Sequence, residues 1–341
     1  MKFARVTSAL VALLMATSLF AGCGSKATDT AAQTTGANTA AAASSAEGTA
    51  ADPGKKITIG ITVQDMSNEF ITMLKEAMEL QFKKYPNVEY IINDAEAKPD
   101  KQVSQMDNFV SQKVDAIICN PADANAMIPA IENAVKAGIP VITLSSDISK
   151  NVGQFWSGSE NESAGEIEAE YIAKKLNGKG NIAILRGPIG HFAEIGRFAG
   201  YKKVFDKYPD IKIVFDQTGN WQREQAMSIM ENWLQSGKQI DAVLAQNDGM
   251  ALGALKAVQD AGLKDKITVA GVDAIKDALD SVKAGELDAT TFQDAIGQAN
   301  GAVDMAVKAG SGEQIQPNVI PFELVTKENV DTFYSRIELP K

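Results

Sequence analysis

The chain has 341 residues, a formal net charge of −10, 45% hydrophobic and 22% charged residues, a length suited to two domains and a composition able to bury a core. The acidic balance excludes a phosphate-backbone binder, which needs a basic stripe. Two cysteines, Cys23 and Cys119, and one histidine, His191, exclude a disulfide framework and leave no zinc ligand set.

Residues 1–22 begin with Lys2 and Arg5, continue through an apolar run from Ala9 to Ala16, and close on small residues. That order is the pattern of a secretory signal peptide, and the run is shorter than the ~20 residues that span a bilayer. Residues 24–54 carry no aromatic or large aliphatic side chain, so a flexible tether is expected there. Leu19-Phe20-Ala21-Gly22-Cys23 resembles the lipobox of bacterial lipoproteins, with Phe20 where that family usually has Leu. The resemblance implies lipidation of Cys23, cleavage before it, and a water-soluble domain held at the outer face of the cell membrane or in the periplasm.

From Lys56 onward the pattern alternates. Strands are predicted at 57–63, 88–92, 116–119 and 141–144, with helices at 69–85, 100–113 and 125–137 between them. The alternation restarts after Ser159, with strands at 181–185, 211–215, 242–245, 267–272 and 288–292 and helices at 163–176, 193–208, 223–234 and 250–261. Strands alternating with helices of this length predict βαβ units and parallel sheets. Two such blocks predict an α/β protein of two doubly wound lobes, with ligand beyond the carboxyl ends of the strands.

Those strand ends are chemically consistent. Gln64, Asn68 and Phe70 follow the first strand; Asn120 and Asp123 the third; Ser145, Ser146 and Asp147 the fourth. In the second block the corresponding residues are His191 with Arg197, Asn220 with Trp221, Asn247 with Asp248, Asp273, and Gln293 with Asp294. Carboxylates, amides and a guanidinium give bidentate hydrogen bonds to vicinal hydroxyls, and aromatic faces pack on the C–H faces of a sugar or cyclitol ring. Asn247-Asp248 also has the chemistry of a helix N-cap, with Asp248 the candidate cap and Asn247 the candidate ligand contact. Cys119 and Trp233 read as core residues, and Met66, Met73 and Met78 as packing. Gly187-Pro188-Ile189-Gly190 lacks the Gly-Lys-Ser/Thr of a phosphate loop.

On these residues, and on Gln246-Asn247-Asp248-Gly249-Met250, Gly271-Val272-Asp273 and Thr291-Phe292-Gln293-Asp294, the chain from Lys56 resembles the type I periplasmic sugar-binding proteins (ribose, galactose/glucose and inositol binders of bacterial ABC importers). The resemblance implies ligand contacts from Asn247, Asp273, Arg197, Gln293 and Asn68, with Gln64 beside them, ring stacking by Phe70 and Trp221, and a His191 contact as in the galactose/glucose branch. Ser145-Ser146 stands where the family often has a charged pair, so Ser145 and Asp147 become the candidate contacts there. It further implies an N-terminal lobe of 56–159 plus 294–321, a C-terminal lobe of 160–293 plus 322–341, and a three-strand hinge near Ser159, Gln293 and Pro321. The implied partners are a neutral monosaccharide or cyclitol and an ABC permease, for a monomer without cofactor, metal or nucleic acid. A sugar sensor serving a membrane histidine kinase or chemoreceptor is the alternative. Paired carboxylates such as Asp65 and Asp273 have no nucleophile–base signature beside them, so an enzyme is not expected.

Overall fold

The computed structural model describes residues 56–339; the predicted leader, Cys23 and the tether lie outside the described residues. The chain first forms β1 (Ile57–Val63), α1 (Glu69–Phe82), β2 (Val88–Asp94), α2 (Pro99–Gln112), β3 (Ala116–Cys119), α3 (Ile128–Lys136), β4 (Val141–Ser145) and β5 (Phe155–Gly158). It continues with α4 (Asn161–Lys175), β6 (Lys179–Arg186), α5 (Phe192–Phe205), β7 (Asp210–Thr218), α6 (Arg223–Gln235), β8 (Ala242–Ala245), α7 (Asp248–Asp260), β9 (Thr268–Asp273), α8 (Lys276–Ala284) and β10 (Ala289–Phe292). Last come α9 (Ala295–Gly310), β11 (Asn318–Val319), β12 (Glu323–Val325), a short 3-10 turn (Val330–Thr332) and α10 (Tyr334–Ile337).

Two six-stranded sheets result, ordered β11-β5-β4-β3-β1-β2 and β12-β10-β9-β8-β6-β7. Their paired strands run parallel except β10 with β12. The chain passes from one sheet to the other three times, at residues 159–160, 293–294 and 320–322. The first sheet and its helices are called lobe I below, the second lobe II. β5, β11 and β12 are absent from the sequence expectation. β11 and β12 have two and three residues, too few to write a pattern, and β5 (Phe155-Trp156-Ser157-Gly158) lacks the β-branched residues of the other short strands; the neighbouring strands hold all three.

Each sheet buries both faces, as parallel sheets with helices on either side must. Ala116 and Ile118 pack with α1 and α9, while Ile117 and Cys119 turn to α2 and α3. In lobe II, Val243 and Ala245 face α6, α7 and α8, whereas Ala242 and Leu244 face α4 and α5. Cys119 is fully buried, and burial pushes its thiol well above its ordinary range; it is packing, not chemistry. Trp233 is likewise in the core, stacked 5.1 Å from Phe215.

One close helix contact positions a site residue. A Cβ on Gly165 in α4 would lie 2.1 Å from the Arg197 carbonyl oxygen in α5, and one on Gly200 would lie 2.2 Å from the Glu162 carbonyl. The two backbones therefore touch where Arg197 leaves its helix. Gly165→Ala must push α4 from α5, a clash with backbone that costs about 1–3 kcal/mol. We expect a lower urea midpoint at unchanged slope. A midpoint equal to wild type would mean the helices separate freely.

Candidate functional site

The carboxyl ends of both sheets face a common cleft with about 320 Å3 of empty volume, lined by Gln64, Asn68, Phe70, Ile71, Ser145, Ser146, His191, Ala193, Arg197, Trp221, Asn247, Asp273 and Gln293. A larger groove of about 1030 Å3 runs along α6, α7 and α8 on lobe II, but helix surfaces form it and none of the convergent strand-end groups reach it.

Lobe I supplies one wall. Asn68 caps α1: its Oδ1 accepts from Phe70 N (3.0 Å) and Ile71 N (3.3 Å), which fixes the Phe70 ring at the helix start. Ser145 ends β4 with φ +63°, and its carbonyl accepts from Trp156 Nε1 at 3.3 Å. Backbone in this region is costly for a residue with a Cβ and persists where surroundings over-determine it. Trp221, at φ +63°, and Asp273, at φ +125°, place two further strained positions on the opposite wall.

Arg197 is the centre of lobe II's wall. It is 3% exposed, and a buried guanidinium must be paired. Its Nε donates to Asn161 Oδ1 (3.2 Å), Nη1 to the Gln246 carbonyl, and Nη2 to Gln293 Oε1 (2.7 Å). Asp273 Oδ1 lies 3.7 Å from Nη2. Burial raises the Asp273 carboxyl well above the usual carboxylate range, and Arg197 pulls against that rise. Gln293, at a crossover, donates from Nε2 to Ser145 Oγ at 3.0 Å, so one amide joins Arg197 of lobe II to Ser145 of lobe I.

His191 caps α5, its Nδ1 accepting from Ala193 N at 3.2 Å. Nδ1 therefore carries no proton, and Nε2–H is free to donate to Ser146 Oγ across the cleft (3.3 Å). Burial, helped by the Arg197 charge, lowers the imidazole to about 3. The ring stands edge-on to Trp221, centroids 5.4 Å apart. The Trp221 indole in turn occupies the space a Cβ on Gly187 would need, 2.1 Å from its Cζ2, so this glycine is what lets the indole seat. Trp221 Nε1 is buried without a hydrogen-bond partner.

The structure brings ten of the eleven sequence-predicted contacts into one cleft. Asp147 is the exception: its Oδ1 accepts from Thr143 Oγ1 (2.8 Å) and Gln154 Nε2 (3.1 Å), which ties it into lobe I and leaves Ser146 at the wall instead. The capping expectation for Asp248 is also corrected. Asn247 is the cap, accepting from Met250 N at 3.0 Å. Asp248 is fully buried and receives Ile275 N (3.0 Å) and Thr290 Oγ1 (2.6 Å), pinning the turn that presents Asp273. Sequence reasoning missed this brace, and missed Asn161 and Gln246 as partners of Arg197, because those contacts join residues 27 to 49 positions apart. Beneath them, burial pushes the Glu168 carboxyl up to about 8. Among the described residues no cluster of His, Cys, Asp and Glu could hold a metal ion.

Residues 59–314 match the family described as periplasmic binding protein domain. A xylitol-binding protein of Mycolicibacterium smegmatis is 39% identical over 280 residues, covering 80% of this chain and 78% of that protein. The ribose import binding protein of Bacillus subtilis is 35% identical, covering 80% of this chain and 88% of its own length. Among solved structures, an ABC transporter solute-binding protein from Bacillus halodurans with bound myo-inositol superposes with a TM-score of 0.81 at 39% identity, covering 83% of this chain and 99% of that one.

The buried imidazole yields a pH test. Folded His191 stays neutral to about pH 3, whereas the unfolded chain protonates it near 6.5. Its contribution to stability is therefore present above about pH 6.5 and is lost as pH falls toward 3. The buried carboxyls with raised values act in the opposite sense, so a difference measurement isolates the histidine. His191→Asn keeps a capping oxygen and removes the titration. Chemical denaturation from pH 7 to 4 should show wild type losing about 1.4 kcal/mol per pH unit relative to the variant below pH 6.5. Parallel curves would contradict a buried neutral imidazole.

Proposed function

The chain belongs to the periplasmic binding protein family, in its type I sugar-binding branch, and we propose that it captures a neutral monosaccharide or cyclitol between its two lobes for delivery to an ABC importer. The family consists of extracytoplasmic solute-binding proteins rather than enzymes. The observation that carries the reading is the convergence, in one interlobe cleft, of Arg197, Asp273, Asn247, Gln293, Gln64 and Asn68 together with the rings of Phe70 and Trp221.

In this reading Phe70 from lobe I and Trp221 from lobe II take opposite faces of the ring. Asp273 and the amides bind its hydroxyls, with His191 and the Ser145-Ser146 pair at the lobe I edge. The hydrogen bonds suit a polyhydroxyl ligand. Arg197 has five N–H donors; three are held by Asn161, Gln246 and Gln293, and Asp273 Oδ1 lies 3.7 Å from its Nη2. Two donors remain for hydroxyls beside the Asp273 carboxyl. Closure about the crossovers at 159–160, 293–294 and 320–322 excludes water from these bonds. The 56–159 plus 294–321 and 160–293 plus 322–341 segments are the proposed moving bodies. Lipidation of Cys23 and anchorage by the tether would keep the closed form near a permease. The cyclitol class draws support from the 39% identical structure that holds myo-inositol.

Thermal unfolding of the full chain against pentoses, hexoses, inositols, linear alditols and uronic acids tests this. A ligand that binds only the folded state adds about 2.7 kcal/mol at a hundredfold excess over its Kd. We expect a rise in Tm with one or two neutral cyclic polyols, none with uronates, and no turnover. A shift with uronates alone, or with no polyol, would overturn the reading.

A further inference from the structure

The mouth of the cleft carries a charge arrangement that the ligand contacts leave unused. Arg223, the first residue of α6, places Nη1 and Nη2 each 3.2 Å from Asp277 Oδ2 in the first turn of α8, on its own lobe. Nη2 also lies 3.8 Å from Glu69 Oε2. Glu69 opens α1 on the opposite lobe, between the cleft residues Asn68 and Phe70. The surrounding space of about 790 Å3 adjoins the cleft through Asn68, Phe70, Trp221, Asn247 and Asp273, so this pair spans the way out.

The geometry is anchored rather than draped. A Cβ on Gly253 in α7 would lie 2.1 Å from the Arg223 carbonyl oxygen, so α6 and α7 are in backbone contact at the root of this side chain. The two bonds to Asp277 then fix the direction in which the guanidinium points. Glu69 is partly withdrawn from water, and burial with the Asp277 charge raises its carboxyl while Arg223 lowers it. The pair is thus less screened than two fully exposed charges.

We propose that Arg223 and Glu69 form an electrostatic latch across the cleft mouth, with Asp277 holding Arg223 in place when the lobes part and Glu69 joining only on closure. The latch stabilises the closed form without touching the ring, and so sets how long a ligand is retained. This rests on the two-lobe binding reading, but the latch acts in the ligand-free chain, and that separates the two tests.

The fold contains its own reporter. Ala124 N–H of lobe I donates to the Gly190 carbonyl of lobe II at 3.1 Å, and Ala124 is buried, so its amide exchanges when the lobes separate. Exchange at Ala124 is measured on the ligand-free full chain for wild type, Glu69→Gln, Arg223→Gln and the double variant. Each single variant should exchange roughly two- to fivefold faster, the range of a partly exposed ion pair, and the double variant no faster than either. Raising salt from about 0.05 to about 0.5 M should speed wild type and leave the variants unchanged. Equal rates in all four proteins would overturn the latch, as would single effects that multiply in the double variant, which mark two unrelated perturbations. Saturating myo-inositol is then added. Slower Ala124 exchange, with faster release from Glu69→Gln than from wild type, extends the latch to the bound state. Release at the wild-type rate contradicts its retaining role. No effect of myo-inositol counts against the cyclitol reading and leaves the ligand-free result standing.

Discussion

The structure is organised around one constraint: the Arg197 guanidinium is buried, and it is surrounded by groups that must neutralise or hydrogen-bond it. An unpaired charge in such a place costs far more than a domain's net stability permits. Its partners come from the start of α4, the end of β8, the end of β9 and the crossover at Gln293. Satisfying a single side chain therefore requires the carboxyl ends of lobe II's strands and the hinge to meet at one point. The same chain of bonds passes through Gln293 to Ser145, which makes the pairing of Arg197 sensitive to the separation of the lobes.

Around this centre the buried carboxyls divide the work. Asp273 faces the cleft and Arg197, while Asp248 lies behind it and spends both oxygens on the turn that presents Asp273. Asp147 serves lobe I in a comparable way through Thr143 and Gln154. The distinction between a ligand-facing acid and a bracing acid follows from which donors each meets, and both kinds occur at strand ends. The guanidinium at the cleft floor is likewise held by amide and carbonyl oxygens of Asn161, Gln246 and Gln293, which leaves its remaining donors to a ligand.

Much of this was legible in the residues because the physics that places them is local. Buried parallel strands appear as short apolar runs, and the polar residue after each run falls at a carboxyl end; Asn247, Asp273 and Gln293 are found in that way. What was hidden depends on distant partners. β5, β11 and β12 exist through pairing with neighbours, not through their own pattern. Whether Asn247 or Asp248 caps α7 turns on a Thr290 hydroxyl and an Ile275 amide that a sequence window does not join. Ser146 stands at its strand end beside the more polar Asp147, and the cleft lining together with the contact to His191 identifies its place.

The central claim is that a neutral polyol ring lies between Phe70 and Trp221 with its hydroxyls on the Arg197–Asp273 pair. The measurement that reaches it most directly is a crystal structure of the protein grown with the stabilising polyol. The account predicts ring carbons against both aromatic faces and hydroxyl oxygens about 2.6–3.2 Å from Asp273 and the free Arg197 donors, with Asp248 still bonded to Thr290 and Ile275. A polyol bound outside the cleft, or inside it with neither ring in contact and Arg197 still serving protein groups alone, would contradict it.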